Sequence, residues 1–166
     1  MPFAMLACAC ACALALPLRA AEPSLADAVE AEDRERIRAL LEAKADVNAP
    51  QPDGMTALHW AVFRDDLELT AKLFACGADA NATNRYGVSP LAIACENGSG
   101  AIVEALLERG ADPHARLRGG ETMLMVAART GRVGPVKCLI RRGVDVNARE
   151  RHGQTALQWA AAEGHV

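Results

Sequence analysis

Aromatic side chains are scarce in this chain of 166 residues, making up 4% of it although 51% is hydrophobic. The apolar content therefore rests on alanine and leucine, helix formers that let helices approach closely, and the aromatic surface usual in a β-sandwich is missing. A helix-rich, all-α fold is expected. An excess of charge is missing as well. With 18 Lys and Arg against 21 Asp and Glu, the net charge of −3 offers no general affinity for nucleic acid. A chain this apolar is also no disordered tail. The catalytic signatures His-Glu-x-x-His and Gly-x-Ser-x-Gly, a phosphate loop and Cys-x-x-Cys are all absent. Neither enzymatic activity nor a cofactor or metal site is expected within this segment.

No apolar run reaches the roughly 20 residues of a membrane-spanning helix. The longest, Pro2 to Leu18, ends at Pro17-Leu18-Arg19-Ala20-Ala21, just before the first acidic residue, Glu22. An apolar core of this length followed by small residues reads as a secretory signal peptide over 1–20, cleaved after Ala20, although no Lys or Arg precedes it. The competing reading is a buried N-terminal helix. Cleavage would remove Cys8, Cys10 and Cys12 and leave Cys76, Cys95 and Cys138. An odd number cannot pair completely within one chain, so these three are read as small packing residues. The mature protein would be periplasmic or secreted, with no stable membrane span.

Self-comparison reveals a period. Asp53-Gly54, Tyr86-Gly87, Gly119-Gly120 and His152-Gly153 recur every 33 residues. They are followed by Thr56-Ala57-Leu58-His59-Trp60-Ala61, Ser89-Pro90-Leu91-Ala92-Ile93-Ala94, Thr122-Met123-Leu124-Met125-Val126-Ala127 and Thr155-Ala156-Leu157-Gln158-Trp159-Ala160. Ends recur too: Gly77-Ala78-Asp79-Ala80-Asn81-Ala82, Gly110-Ala111-Asp112-Pro113-His114-Ala115 and Gly143-Val144-Asp145-Val146-Asn147-Ala148. A degenerate earlier copy closes on Ala45-Asp46-Val47-Asn48-Ala49. In these motifs the chain from 22 to 166 resembles the ankyrin-repeat family. The resemblance implies an all-α solenoid of stacked helix-turn-helix units with loop or β-turn fingers. It divides the chain into a degenerate capping repeat (21–52), repeats at 53–85, 86–118 and 119–151, and a truncated repeat (152–166). The alanine-rich leader and chain suit an exported bacterial protein.

Elementary helix chemistry agrees. The Ser or Thr opening each unit can cap a helix, and Pro90 fits its first turn. Leu58 with Ala61, Leu91 with Ala94, Leu124 with Ala127 and Leu157 with Ala160 are three residues apart, so each pair faces one way. Gly98, Gly131 and Gly164 end the first helix; Gly77, Gly110 and Gly143 end the second with a left-handed cap. One such unit cannot enclose a core, so each must be covered by the next. The charged first copy, with Ile37, Leu40 and Leu41 among Glu30, Glu32, Asp33, Arg34, Glu35, Arg36, Arg38 and Glu42, suits a polar cap. Leu157, Trp159 and Ala160 lack a partner helix before Val166, so the natural protein is expected to continue. Lys44 and Asp65 stand where the family has glycine, and Ser99-Gly100 where it has His-Leu, departures expected to lower local stability without changing the fold. A lysine held left-handed is strained, so the first copy is expected to be locally distorted.

His59 matches the family's Thr-Pro-Leu-His position, which implies that its imidazole bonds loop backbone instead of acting as a catalyst. His114 stands at the family's loop asparagine and His165 in its Gly-His pair; none of these has a metal-ligand companion. Trp60 and Trp159 share a repeat position with Ile93 and Val126, so core packing is expected of them. Asn81-Ala82-Thr83 and Asn97-Gly98-Ser99 are glycosylation sequons, relevant to a eukaryotic secretory route.

The resemblance further implies protein binding on the concave side, through the fingers and the ends of the first helices. The finger positions are Pro50, Pro52, Asp53 and Met55; Thr83, Arg85, Tyr86 and Val88; Arg116, Arg118, Gly119 and Glu121; Arg149, Arg151, His152 and Gln154. At the helix ends they are Phe63 and Arg64, Glu96 and Asn97, Arg129 and Thr130. These side chains are not expected to be needed by the core. Charge is distributed unevenly along the stack: residues 22–52 hold four basic and eight acidic groups (−4), whereas residues 119–151 hold seven basic and three acidic (+4). Arg85, Arg116, Arg118, Arg149 and Arg151 would form a basic ridge beside Tyr86, suited to an acidic protein partner. A docking or regulatory arm of an enzyme whose catalytic domain lies beyond residue 166, or an inhibitor of a partner enzyme, would use the same surface.

Overall fold

A computed structural model describes residues 24–165; the leader expected over 1–20 lies outside them. The described residues form nine helices and no strand: α1 (Leu25–Glu30), α2 (Arg34–Glu42), α3 (Ala57–Phe63), α4 (Leu67–Ala75), α5 (Pro90–Asn97), α6 (Gly100–Glu108), α7 (Met123–Arg129), α8 (Val133–Arg141) and α9 (Ala156–Ala162). Starts of the first helices, Ala57, Pro90, Met123 and Ala156, repeat every 33 residues, as do those of the second, Arg34, Leu67, Gly100 and Val133. The expected all-α solenoid is what the chain forms. First helices α1, α3, α5, α7 and α9 stand in one row, each packed on the next.

The opening hydroxyls cap as expected. Ser24, Ser89, Thr122 and Thr155 accept from backbone N–H groups three residues on, at 3.2–3.4 Å, and Pro90 occupies the first turn of α5. Leucines of the first helices fill the space between neighbouring units. Leu58 and Leu91 are 1% exposed and Leu124 4%, but Leu157 is 76% exposed, since no further helix among the described residues covers α9. Burying such a side chain contributes roughly 1.5–3 kcal/mol, so stability accumulates at each junction of the stack.

Left-handed backbone recurs at fixed places. Glu32, Asp65, Gly98, Gly131 and Gly164 share one position and Lys44, Gly77, Gly110 and Gly143 another, all with positive φ. Three of them are not glycine: Glu32 and Asp65 at φ 56° and Lys44 at 54°. The strain expected at Lys44 is present, but the distortion expected of the first copy is not. Helix α2 runs nine residues, as α4, α6 and α8 do. What does differ is its packing: between the first and second helix pairs lies an open cleft of about 870 Å3, lined by Ile37, Leu41 and Leu69 among charged side chains. Gly100 is no weakness either. A Cβ there would meet the Gly134 Cα at 3.1 Å, so its absence is what lets α6 and α8 lie close.

The cysteines divide. Cys95 and Cys138 are buried packing residues, whereas Cys76, the residue that caps the C-terminal end of α4, is exposed, contrary to expectation. All three thiols are free. Burial pushes the Cys95 thiol up to about 12, which keeps it protonated and unreactive.

Candidate protein-binding surface

Helix ends are tied along the row of first helices. Arg64 donates to the Glu30 carbonyl and pairs with Glu32; Asn97 Nδ2 donates to Val62 O (3.0 Å) and Phe63 O (3.1 Å); Arg129 Nη2 pairs with Glu96 Oε1 (2.7 Å); His165 Nε2 meets Arg129 O at 3.2 Å. One face therefore carries Phe63, Glu96, Arg129 and Ala162 in sequence. A depression of about 240 Å3 shows what else lies on it: Arg129, Gln154, Trp159, Ala162 and Glu163 line it together, so a finger residue, a helix face and two helix ends share one concavity.

The fingers are tight turns. Asn84 Oδ1 accepts from Tyr86 N (2.9 Å) and Val88 N (3.0 Å), and Glu150 accepts from His152 N (2.8 Å) and Gln154 N (3.0 Å) at the equivalent position. Burial would push the Glu150 carboxyl up, but those N–H bonds and the His152 ring, 3.0 Å away, hold it below the usual range. Adjacent fingers are stitched by Arg85 N to Asp53 O (2.8 Å).

His59 behaves as the repeat motif implies. It is fully buried; its Nδ1 accepts from Thr56 N (3.2 Å) and Nε2 lies 3.1 Å from Val88 O in the next finger. Burial holds its pKa below the ordinary value. The recurring asparagines serve the same end: Asn48 Nδ2 donates to Gly77 O (3.0 Å) while Oδ1 accepts from Asp79 N (2.8 Å), and Asn81 repeats this with Gly110 O (2.8 Å) and Asp112 N (2.9 Å). Both sequon asparagines, Asn81 and Asn97, thus have their amides engaged in bonds to the chain.

The finger arginines are held at one end. Arg116 Nη1 donates to Gly120 O (2.9 Å) and Arg149 O (3.3 Å), Arg149 Nη1 to Gly153 O (2.7 Å), Arg118 Nη2 to Arg85 O, and Arg85 Nη2 to the Tyr86 hydroxyl (2.8 Å). The Arg85 guanidinium also lies 4.9 Å from the Tyr86 ring centre. None of these or Arg151 pairs with a carboxylate among the described residues, whereas Arg38, Arg64, Arg129, Arg141 and Arg142 all do.

Several expected surface residues change role. Met55 is buried and Val88 packs against the core, because each leads from its finger into the next helix. Asn97 serves the preceding helix end, Thr130 Oγ1 donates to Ala127 O (2.8 Å), Glu96 and Arg129 neutralise each other, and His152 turns to Glu150. Thr83, Arg85, Tyr86, Arg116, Arg118, Arg149, Arg151 and Gln154 stay exposed on the fingers, with Glu121 half-buried; Phe63 is exposed at its helix end. Trp60 and Trp159, expected in the core, pack against it but stay half-buried on the row of first helices. Trp60 Nε1 donates to Gln51 Oε1 at 2.6 Å; the equivalent acceptor for Trp159 would be Glu150, which is turned into its own finger, and Trp159 Nε1 is buried without a partner. The signal for both was a large aromatic where Ile93 and Val126 suffice.

Among the described residues no group of His, Cys, Asp and Glu gathers as a metal site, and no helix is long and apolar enough to cross a membrane. No curated protein matches the sequence. A family model, ankyrin repeats (three copies), matches residues 25–117 and 112–166. Such repeats generally mediate protein–protein interaction and are typically non-catalytic. A match covering the whole helical stack, with the capped helix pairs and finger turns just described, makes this chain a member of the ankyrin-repeat family.

Proposed function

We propose that this chain is a non-catalytic binding module that holds an acidic protein through its fingers and concave face. The observation that carries the reading is the set Arg85, Arg116, Arg118, Arg149 and Arg151: exposed, without carboxylate partners among the described residues, and, except for Arg151, each held through one guanidinium nitrogen. An arginine held in this way spends little conformational freedom on meeting a carboxylate, and its fork can bind both oxygens at once. We further read the protein as exported, periplasmic or secreted, on the strength of its apolar leader.

The test uses the chain bearing Arg116→Glu and Arg149→Glu. A fluorescent glutamate-rich peptide should bind the native chain and lose at least about tenfold in affinity, roughly 1.4 kcal/mol, for the variant. Unfolding free energy should move by less than about 1 kcal/mol, since both positions are exposed. Equal affinity would overturn the reading, and so would tighter binding of a single-stranded DNA of matched charge.

A further inference from the structure

We infer that the partner is held at two chemically distinct points: an apolar side chain seated on Phe63 and Trp60 near the N-terminal end of the concave row, and a run of carboxylates on the Arg116, Arg118, Arg149 and Arg151 fingers toward the other end. The inference rests on the acidic-partner reading above and adds a second contact to it.

Phe63 carries the first half. It is 56% exposed at a position filled elsewhere by Glu96, Arg129 and Ala162, so the repeat does not demand an aromatic there. Its ring stands edge-on to that of Trp60, with centroids 5.8 Å apart and planes at 86°. Trp60 is itself pinned through Nε1 to Gln51 Oε1, and Gln51 Nε2 donates in turn to Asp27 Oδ1 (2.8 Å) and Glu30 Oε2 (2.5 Å). An exposed ring backed by a second ring that cannot turn away is a preformed apolar platform, the type of site where few residues supply most of the binding energy. That it belongs to the binding face follows from the equivalent position: Ala162 lines the concavity with Trp159, Gln154 and Arg129.

Charge sets the order of the two contacts. On either side of Phe63 the charges are paired, Arg64 with Glu32 and, further along the row, Arg129 with Glu96 at 2.7 Å, whereas the finger arginines beyond are unpaired. The capping copy over 22–52 carries −4 and would repel carboxylates, whereas 119–151 carries +4 and would attract them. A polyphosphate chain, uniformly charged, would place like charge against the acidic end and nothing against Phe63. A protein segment with an apolar anchor set apart from acidic residues satisfies both ends, and joining the two contacts raises affinity by effective concentration.

The test is fluorescence anisotropy with the full chain and defined synthetic peptides. The probes are a run of glutamates alone and the same run joined to a terminal leucine pair by glycine-serine spacers of about two, six and ten residues. Expected is weak, salt-sensitive binding of the glutamate run, and a gain of about tenfold or more with the leucine pair at one spacer length and less at the shortest. Phe63→Ala should abolish the gain and leave the glutamate run's affinity unchanged; circular dichroism confirms that this exposed substitution leaves the fold intact. A gain absent at every spacer length, or one that survives Phe63→Ala, overturns the two-point inference while the acidic reading stands. Failure of the glutamate run to bind, or binding that survives Arg116→Glu with Arg149→Glu, overturns both.

Discussion

Lys44 and Asp65 carry a cost that their glycine counterparts avoid. Both hold φ near 55° with a Cβ, and left-handed backbone costs a non-glycine residue roughly 1–2 kcal/mol. Glu32 shares the conformation but pairs with Arg64, so removing its side chain would mix two effects. Lys44→Gly and Asp65→Gly should each stabilise the protein by about 1 kcal/mol in urea unfolding, after the glycine's greater unfolded-state freedom is counted. A loss on both would mean the strain is relieved elsewhere. His59 offers the opposite case, a side chain that must stay neutral. Burial depresses its pKa below the 6.5 of the unfolded chain. As pH falls below that value the unfolded state takes up a proton that the folded state refuses, so stability is present above about pH 6.5 and is lost below it. His59→Ala should cost about 2 kcal/mol at pH 7.5, by orphaning Thr56 N and Val88 O, and should flatten the decline between about pH 6.5 and 5, a window in which carboxylates stay ionised. An unchanged slope would place the titration on another group. The role of His59 was legible from its motif position; that its acceptor would be Val88 was not, because this bond spans two repeats.

At the scale of the helix pair, the junctions are unequal, and the ladder of loop asparagines shows why. Asn48 and Asn81 each bridge to the next unit's Gly carbonyl and Asp N–H, but the third position is His114, and no bond joins it to Gly143 or Asp145 among the described residues. His114→Asn should therefore restore the link and stabilise the stack by about 1 kcal/mol, read as an increase in urea midpoint. No change would show that the α6–α8 contact through Gly100 and Gly134 already holds this junction at its best spacing. That contact marks where sequence reasoning stops. Gly100 breaks the family pattern and reads as a weakness, since nothing in the local sequence says that Gly134, on another helix, needs the room. Capped starts, glycine ends and paired Leu and Ala positions were legible because they depend on neighbours within one turn. The cleft beside α2 and the exposure of Cys76 were not, because they depend on how units sit against one another.

Over the whole molecule the same limit decides what can be read of function. Register alone placed the arginines on successive fingers, and the charge count alone gave the stack its two unlike ends. Which arginines were free had to come from three dimensions: Arg64 and Arg129 already pair with Glu32 and Glu96, residues roughly a repeat away, while Met55 and Val88 turn inward. What remains is a set of unpaired finger arginines running from Arg85 to Arg151, away from the acidic capping copy. Binding and folding should therefore respond differently to salt. Exposed ion pairs such as Arg38–Glu42 and Lys72–Glu68 contribute little to stability, and most of the fold's support is apolar burial and backbone bonding, which ions at moderate strength screen weakly. Raising sodium chloride from about 0.05 to 0.5 M should thus weaken binding of a glutamate-rich peptide by an order of magnitude or more, since the Debye length shrinks from about 14 to about 4 Å and screens the exposed charges from each other. The unfolding midpoint should shift by no more than a few degrees over the same range. Parallel loss of both would mean that the charge pairs hold the stack together, and peptide binding indifferent to salt would overturn the arginine-finger contact.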